Sequence, residues 1–156
     1  MPVTVVEGDL LDQRVDALVN AWNRNVLPWW LLLPQGVSGA IKRQAGTQPF
    51  RELARLGPIP LGQAVQTSAG KLPYRVMIHV AGIDLWWRAS RASIVDSTTN
   101  AVALARKLGL GSIALPVLGA GSGGFSAAQA EALMLEALGP AEGLEVTVVR
   151  FRSGKK

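Results

Sequence analysis

The chain has 156 residues, of which 49% are hydrophobic, and it contains no cysteine. This length suits one domain with a substantial core, and the apolar content excludes a disordered chain. The lack of cysteine excludes disulfides, cysteine-ligated metals and thiol nucleophiles, and a single histidine argues against a histidine-based metal site. The net charge of +5 favours anionic partners without identifying them.

The first residues, MPVTVVEGDLLD, carry acidic groups and no basic region, so they do not resemble a signal peptide. No stretch approaches 18 uncharged apolar residues, so we expect no transmembrane helix. The sequence therefore predicts a cytoplasmic monomer that makes no membrane contact and holds no metal or cofactor.

Apolar periodicity predicts alternating strands and helices. In chain order these are strands at 3–7 and 16–20, helices at 36–44 and 49–56, strands at 63–67 and 75–80, a helix at 90–108, a strand at 112–118, a helix opened by Ser126 and a strand at 145–151. Such alternation is typical of a sheet covered by helices on both faces. The short turn between 63–67 and 75–80 indicates an antiparallel pair, so we expect a mixed sheet. His79, inside one strand, is interpreted as structural.

The segment NAWNRNVLPWWLLLPQG at 20–36 is unusual. Pro28 and Pro34 prevent a regular helix, and its tryptophans and leucines make it too apolar for a free loop. The segment is expected either to cover the core or a protein contact, or to line a cleft. The same two alternatives apply to Trp86 and Trp87.

A glycine-rich turn follows the 112–118 strand and precedes the Ser126 helix. Ser126 and Gln129 have the spacing of a capping box. Glycines before a helix N-terminus let a phosphate approach unpaired backbone N–H groups. Gly119, Gly121 and Gly124 also match G-x-G-x-x-G, but too little chain follows for a dinucleotide-binding domain, and a P-loop lacks its Gly-Lys-Ser/Thr. A tight turn without a ligand stays an alternative.

Taken together, six fragments resemble the macrodomain family, the ADP-ribose-binding α/β/α module. In order they are GDL at 8–10, DALVNAWN at 16–23, GVSGAI at 36–41, GQA at 62–64, VMIHV at 76–80 and LPVLGAGSGGF at 115–125. The resemblance covers nearly the whole chain. It implies a three-layer α/β/α sandwich with a mixed central sheet, formed by one domain at 1–152 with a basic tail at 153–156.

The resemblance also assigns roles to residues. Asp9 is similar to the family's adenine-selecting acid, an acceptor suited to an exocyclic amine, with a turn or helix cap as the alternative. Leu10 would offer its backbone N–H beside it, and Asn23 would hold the distal ribose, with a role as a turn residue as the alternative. The remaining ligand-binding positions are Gly36 and Val37 in one diphosphate loop, Gly121, Ser122, Gly123, Gly124 and Phe125 in the other, and Phe151 against adenine or in the core.

One position departs from the family's hydrolase pattern. Where ester-hydrolysing members often carry Gly-Val-Asp-Gly, this chain has GVSG, with Ser38 in place of the aspartate. A serine hydroxyl is not ionised near neutrality, so it cannot act as a carboxylate base. Other macrodomains lack this aspartate and still hydrolyse, with asparagine and a substrate phosphate holding the water.

The resemblance implies binding of ADP-ribose, free or on an ADP-ribosylated macromolecule, and hydrolysis of its ester conjugates, including O-acetyl-ADP-ribose. Asn23 and Ser38 are then the candidate catalytic residues. A non-catalytic ADP-ribose reader is the alternative. Nucleic-acid binding is a minor alternative, because the +5 charge is not accompanied by an RNA-binding motif with interleaved aromatics.

Overall fold

The computed structural model describes residues 3–22, 36–82, 89–119 and 124–151. The strands are β1 (Val3–Gly8), β2 (Ala17–Trp22), β3 (Ala64–Thr67), β4 (Val76–Ala81), β5 (Ser112–Pro116) and β6 (Glu145–Phe151). The helices are α1 (Gly36–Ala45), α2 (Gln48–Leu56), α3 (Arg91–Lys107) and α4 (Ala127–Leu138), with a short 3-10 turn at Leu10–Asp12. All predicted elements are confirmed, within a few residues at their ends; among the described elements, the 3-10 turn is the one without a predicted range, although a turn after β1 was an alternative for Asp9.

The six strands form one mixed sheet in the order β1-β6-β5-β2-β4-β3. Every neighbouring pair is parallel except β3 and β4, which are antiparallel. Strands β2, β4 and β5 are almost entirely buried, as expected for parallel strands covered on both faces. The five parallel strands place their carboxyl ends at one edge of the sheet.

Helices cover both faces of this sheet, so the predicted three layers are confirmed. On one face, α3 and α4 bury Ile94, Ala101 and Met134 against alternating strand residues such as Ile78. On the other face, α1 and α2 bury Ile41, Phe50 and Leu53 against Leu18 and Met77. The alternation along β2 and β4 sends successive side chains to opposite cores.

Local capping sets the start of the two longer helices. The Ser126 hydroxyl accepts from the Gln129 amide, and the Gln129 side chain accepts from the Ser126 amide, each at 3.1 Å. The predicted capping box is therefore confirmed. Ser90 and Ser93 form an equivalent pair before α3, at 2.9 and 2.8 Å. These caps fix where the chain turns from the sheet edge into each helix.

Candidate functional site

The carboxyl edge of the parallel strands gathers the segments that the sequence singled out. β1 leads there into Asp9, and β5 leads there into Gly119 and then α4. α1 packs on β2 and runs towards the opposite edge, where the Ala45 carbonyl accepts from the Lys71 amide at 2.9 Å just before β4. The first turn of α1, at Gly36, therefore also lies towards the carboxyl edge.

Asp9 caps the short turn after β1. Its Oδ1 accepts from the Leu11 amide at 2.9 Å, and its carbonyl accepts from the Asp12 amide at 3.1 Å. Within the described residues Oδ2 has no hydrogen-bond partner, so one carboxylate oxygen can accept from an exocyclic amine. The Leu10 side chain is buried in the core under α1 and α2, which anchors the turn. The capping role and the adenine-binding role are compatible at this residue.

The turn from β5 to α4 needs glycine at two described positions for different reasons. The Phe125 amide donates to the Gly119 carbonyl at 3.1 Å, which closes the turn. Gly119 and Gly124 have φ of +85° and +94°, a region that side chains disfavour. A Cβ on Gly119 would lie 2.5 Å from Ile94 Cδ1, whereas one on Gly124 would meet no described atom within 4 Å. Packing thus requires Gly119, while no atom of the described residues would contact a side chain at Gly124.

The N-terminus of α4 retains donors for an anion. Its capping box satisfies the amides of Ser126 and Gln129. The amides of Ala127 and Ala128, in the first turn, have no intrahelical acceptor. Together with the helix dipole they make this end of the turn favourable for a phosphate.

The structure describes other predicted site residues only in part. Asn23, Gly121, Ser122 and Gly123 lie outside the described residues, as do Trp29, Trp30, Trp86, Trp87 and the tail at 153–156. Gly36, Val37 and Ser38 form the first turn of α1, and Phe151 is the last residue of β6. Phe125 is half-buried against the core beneath α3 and α4. Their ligand contacts stay predictions.

A buried polar chain lies in the sheet beneath α2. Asn20 and His79 are direct neighbours in the β2–β4 register. The Thr67 hydroxyl donates to the Ser68 carbonyl at 2.9 Å, so its oxygen accepts from His79 Nε2–H at 2.8 Å. His79 Nδ1 then accepts from the Asn20 side-chain amide at 3.0 Å. Burial lowers the pKa of His79 to about 3, so the ring is neutral. This agrees with the structural interpretation of His79; the sequence did not reveal its partners.

Trp22 is a core residue, which decides between its two sequence alternatives. It is 4% exposed and packs on Phe50, with ring centroids 5.1 Å apart. The Lys42 ammonium lies 5.0 Å from the Trp22 centroid and 5.3 Å from that of Phe50. Lys42 is half-buried here, and burial lowers its pKa. These contacts lie at the end of β2, next to Asn23 in sequence.

A shallow depression of about 450 Å³ at the opposite, amino-terminal edge is a weaker candidate site. Its polar groups are engaged with the protein itself. Asp16 Oδ2 accepts from the Gly111 amide at 2.7 Å and lies 3.7 Å from Arg75, while the Ser112 hydroxyl accepts from the Asp16 amide. The Tyr74 hydroxyl contacts the carbonyl oxygen of Gln13 at 2.8 Å. These groups therefore stabilise the fold through intramolecular contacts.

The described ranges lack two further features. That part of the chain holds no group of three or more potential His, Cys, Asp or Glu metal ligands. None of its helices is both long and apolar enough to cross a membrane.

Comparison with known proteins gives consistent matches. The Macro domain family profile matches residues 19–134. An uncharacterised protein of Aeropyrum pernix is 35% identical over 128 residues, which cover 81% of this chain and 65% of that protein. A solved Oceanobacillus iheyensis macrodomain mutant with ADPR superposes with a TM-score of 0.81 at 26% identity, covering 96% of this chain and 84% of the other. A Trypanosoma brucei macrodomain in complex with ADP-ribose gives 0.80 at 26% identity, with coverage of 96% and 63%.

Several of these relatives are longer than this chain. The chain spans 65% of the Aeropyrum protein and 36% of a Mycobacterium tuberculosis protein to which it is 37% identical. The resemblance therefore concerns the domain and not the other parts of those proteins.

Proposed function

The chain belongs to the macro domain family, and on that premise we propose that it binds ADP-ribose along the carboxyl edge of its sheet and hydrolyses ester conjugates of the distal ribose. The observation that carries the proposal is the turn from Gly119 to Ser126. It joins a buried parallel strand to a helix N-terminus, has positive-φ glycines at Gly119 and Gly124, and has no described atom within 4 Å of the position of a Cβ on Gly124.

The ligand would lie across this edge from β1 to β2. Adenine meets the Oδ2 of Asp9, and the diphosphate meets amides of the 119–126 turn and the first turns of α1 and α4. Asn23 follows β2 and holds the distal ribose. The structural support is that Asp9, Gly119 and the α1 N-terminus lie at one edge, as a ligand with adenosine at one end and a ribose at the other requires.

The chemical step is ester hydrolysis with water as the second reactant. One product gains the hydroxyl group of the water, and the other product gains its proton. Ser38 or a phosphate oxygen of the substrate holds this water, and backbone N–H groups stabilise the developing negative charge. Because Ser38 is not a base at neutral pH, acceleration comes from positioning and electrostatics, and we expect a slow enzyme.

A reader that binds ADP-ribose without turnover is the second candidate. Ser38, at the position where the family's hydrolases often carry aspartate, favours it. The two candidates share the ligand and differ only in chemistry.

Two measurements separate the outcomes. Isothermal titration with ADP-ribose, with AMP as the control ligand, is expected to show saturable binding much stronger than that of AMP. Release of ADP-ribose from a mono-ADP-ribosylated protein is then followed for the native chain and for Asn23→Ala. Binding with release that Asn23→Ala abolishes supports the hydrolase, and binding without release establishes the reader. No binding of ADP-ribose rejects both.

A further inference from the structure

The two helical layers of the fold differ in charge. Residues 36–74, which contain α1 and α2, hold five basic residues and one acidic residue. Residues 89–144, which contain α3 and α4, hold three basic and four acidic residues. Because these layers cover opposite faces of the sheet, the molecule has one basic face and one nearly neutral face.

Four of the basic side chains on this layer are exposed, and we call them the α1/α2 basic surface: Arg43, Arg51, Arg55 and Lys71. Arg51 and Arg55 are one helical turn apart on α2, so their Cβ atoms lie about 5–6 Å apart. Lys71 lies at the end of α1, since its Cε would be 3.5 Å from a Cβ on Gly46. Its amide bonds to the last residue of that helix.

Within the described residues, no carboxylate forms an ion pair with this surface. Its one acidic neighbour, Glu52, is directed to Ser68 and accepts from the Ser68 amide at 2.8 Å and the Ser68 hydroxyl at 2.6 Å. These hydrogen bonds lower the pKa of Glu52, so it stays ionised but points towards β3. Glu52 therefore does not neutralise the arginines through a direct contact.

Three arginines elsewhere in the fold do have such partners. Arg150 forms a bidentate ion pair with Glu131, with hydrogen bonds of 2.6 and 2.8 Å. Arg91 lies 3.5 Å from Glu136, and Arg75 lies 3.7 Å from Asp16. Among the described residues, the α1/α2 basic surface is thus a group of four exposed cations on one layer without a carboxylate contact.

We propose that the α1/α2 basic surface binds the phosphate backbone of nucleic acid. Three of its four cations are arginines, whose forked guanidinium groups match phosphate oxygens. A lipid surface fits less well, because an interfacial helix directs its large apolar residues outward among the basic ones. In α2 those residues, Phe50 and Leu53, are fully buried in the core, and Leu56 at its end is the exposed exception. This inference goes beyond ADP-ribose binding and does not depend on it.

The test uses a matched pair of triple variants in the full chain. Arg43→Gln, Arg51→Gln and Arg55→Gln remove charge from the surface. Arg91→Gln, Arg106→Gln and Lys107→Gln remove the same charge from the opposite layer, so both variants change the net charge from +5 to +2. Glutamine preserves helix propensity at all six helical positions. Thermal unfolding checks that both variants fold.

Binding is measured by fluorescence anisotropy with a labelled single-stranded DNA of mixed sequence. Four phosphate contacts predict a salt slope of about −3, so affinity should fall about fiftyfold between roughly 50 and 200 mM salt. The surface variant should bind at least about tenfold more weakly at the lower salt and show only about a threefold fall over this range. The opposite-layer variant should behave as the native chain.

Several results would overturn the inference. Equal weakening in both variants would mean that overall charge, and not this surface, attracts the DNA. No binding of DNA, or stronger binding to a poly-glutamate peptide or to phosphatidylserine vesicles, would also reject a nucleic-acid surface. Titration with ADP-ribose is run on the surface variant; because none of its three positions is a proposed ligand-binding residue, its outcome judges the proposed function separately.

Discussion

Gly119 and Gly124 offer a matched pair of substitutions that separates packing from ligand access. Both have positive φ, so replacement by alanine costs about 1–2 kcal/mol of backbone strain at each. At Gly119 the new Cβ would also lie 2.5 Å from Ile94 Cδ1 and 3.2 Å from the Ala89 Cβ. Overpacking of this kind adds about 1–3 kcal/mol. We therefore expect losses of about 2–5 kcal/mol for Gly119→Ala and 1–2 kcal/mol for Gly124→Ala.

The functional effects should be in the reverse order. The added methyl of Gly124→Ala would stand in the space where a diphosphate approaches the turn, so affinity for ADP-ribose should fall although most of the stability is retained. For a chain of this length, the expected falls in Tm are about 2–8 °C for Gly124→Ala and 4–20 °C for Gly119→Ala.

Thermal unfolding and isothermal titration with ADP-ribose on the same preparations provide the assay. Gly119→Ala is titrated well below its own Tm, so that any loss of binding is not caused by unfolding. Equal Tm values for the two variants would refute the packing argument. Unchanged affinity in Gly124→Ala would refute the assignment of this turn to the ligand.

Three further results are expected. Because the pKa of His79 is lowered to about 3 in the folded state, only the unfolded chain binds a proton at this residue between about pH 6.5 and 3. The free energy of unfolding, measured with denaturant, should therefore fall by about 2–3 kcal/mol from pH 7.5 to pH 4.5. The variant His79→Gln should lack this part of the pH dependence. Asp9→Asn keeps a helix-capping side chain but removes the carboxylate. The affinity for ADP-ribose, measured by titration, should therefore fall about tenfold or more with little change in Tm. A large fall in Tm would favour the capping role alone. Trp22→Ala should cost about 3–5 kcal/mol in unfolding experiments, and unchanged stability would contradict its place in the core.

Most of the fold follows from local sequence patterns. Buried runs such as 113–116 and helical stripes such as Ile94, Ala101 and Ala105 are periodic over short distances, so element type and order can be predicted without knowing the partners. The capping box at Ser126 and the antiparallel turn before β4 are equally local. The 3-10 turn after Asp9 gave no such signal, because three residues are too few to show a period.

The candidate site was less predictable, because its properties depend on contacts between distant segments. Gly119 and Gly124 are equivalent in sequence, and only the position of Ile94 on α3 makes one a packing requirement and leaves the other beside open space. His79 was interpreted as structural from its strand alone, but its tautomer depends on Asn20 and Thr67, which other strands bring to it. Trp22 could equally have lined a cleft until Phe50 was found against it.

The sequence by itself thus determined the kinds of element, their order, the mixed sheet and the glycine turn at the end of a buried strand, because periodicity and capping act over a few residues. Only the tertiary structure decided that Asp9, the 119–126 turn and the start of α1 share one edge, since this needs the β1-β6-β5-β2-β4-β3 order. It also decided that Arg43, Arg51, Arg55 and Lys71 are exposed on the α1/α2 layer without a carboxylate partner among the described residues, because the burial of apolar faces directs each helix's charged side outward.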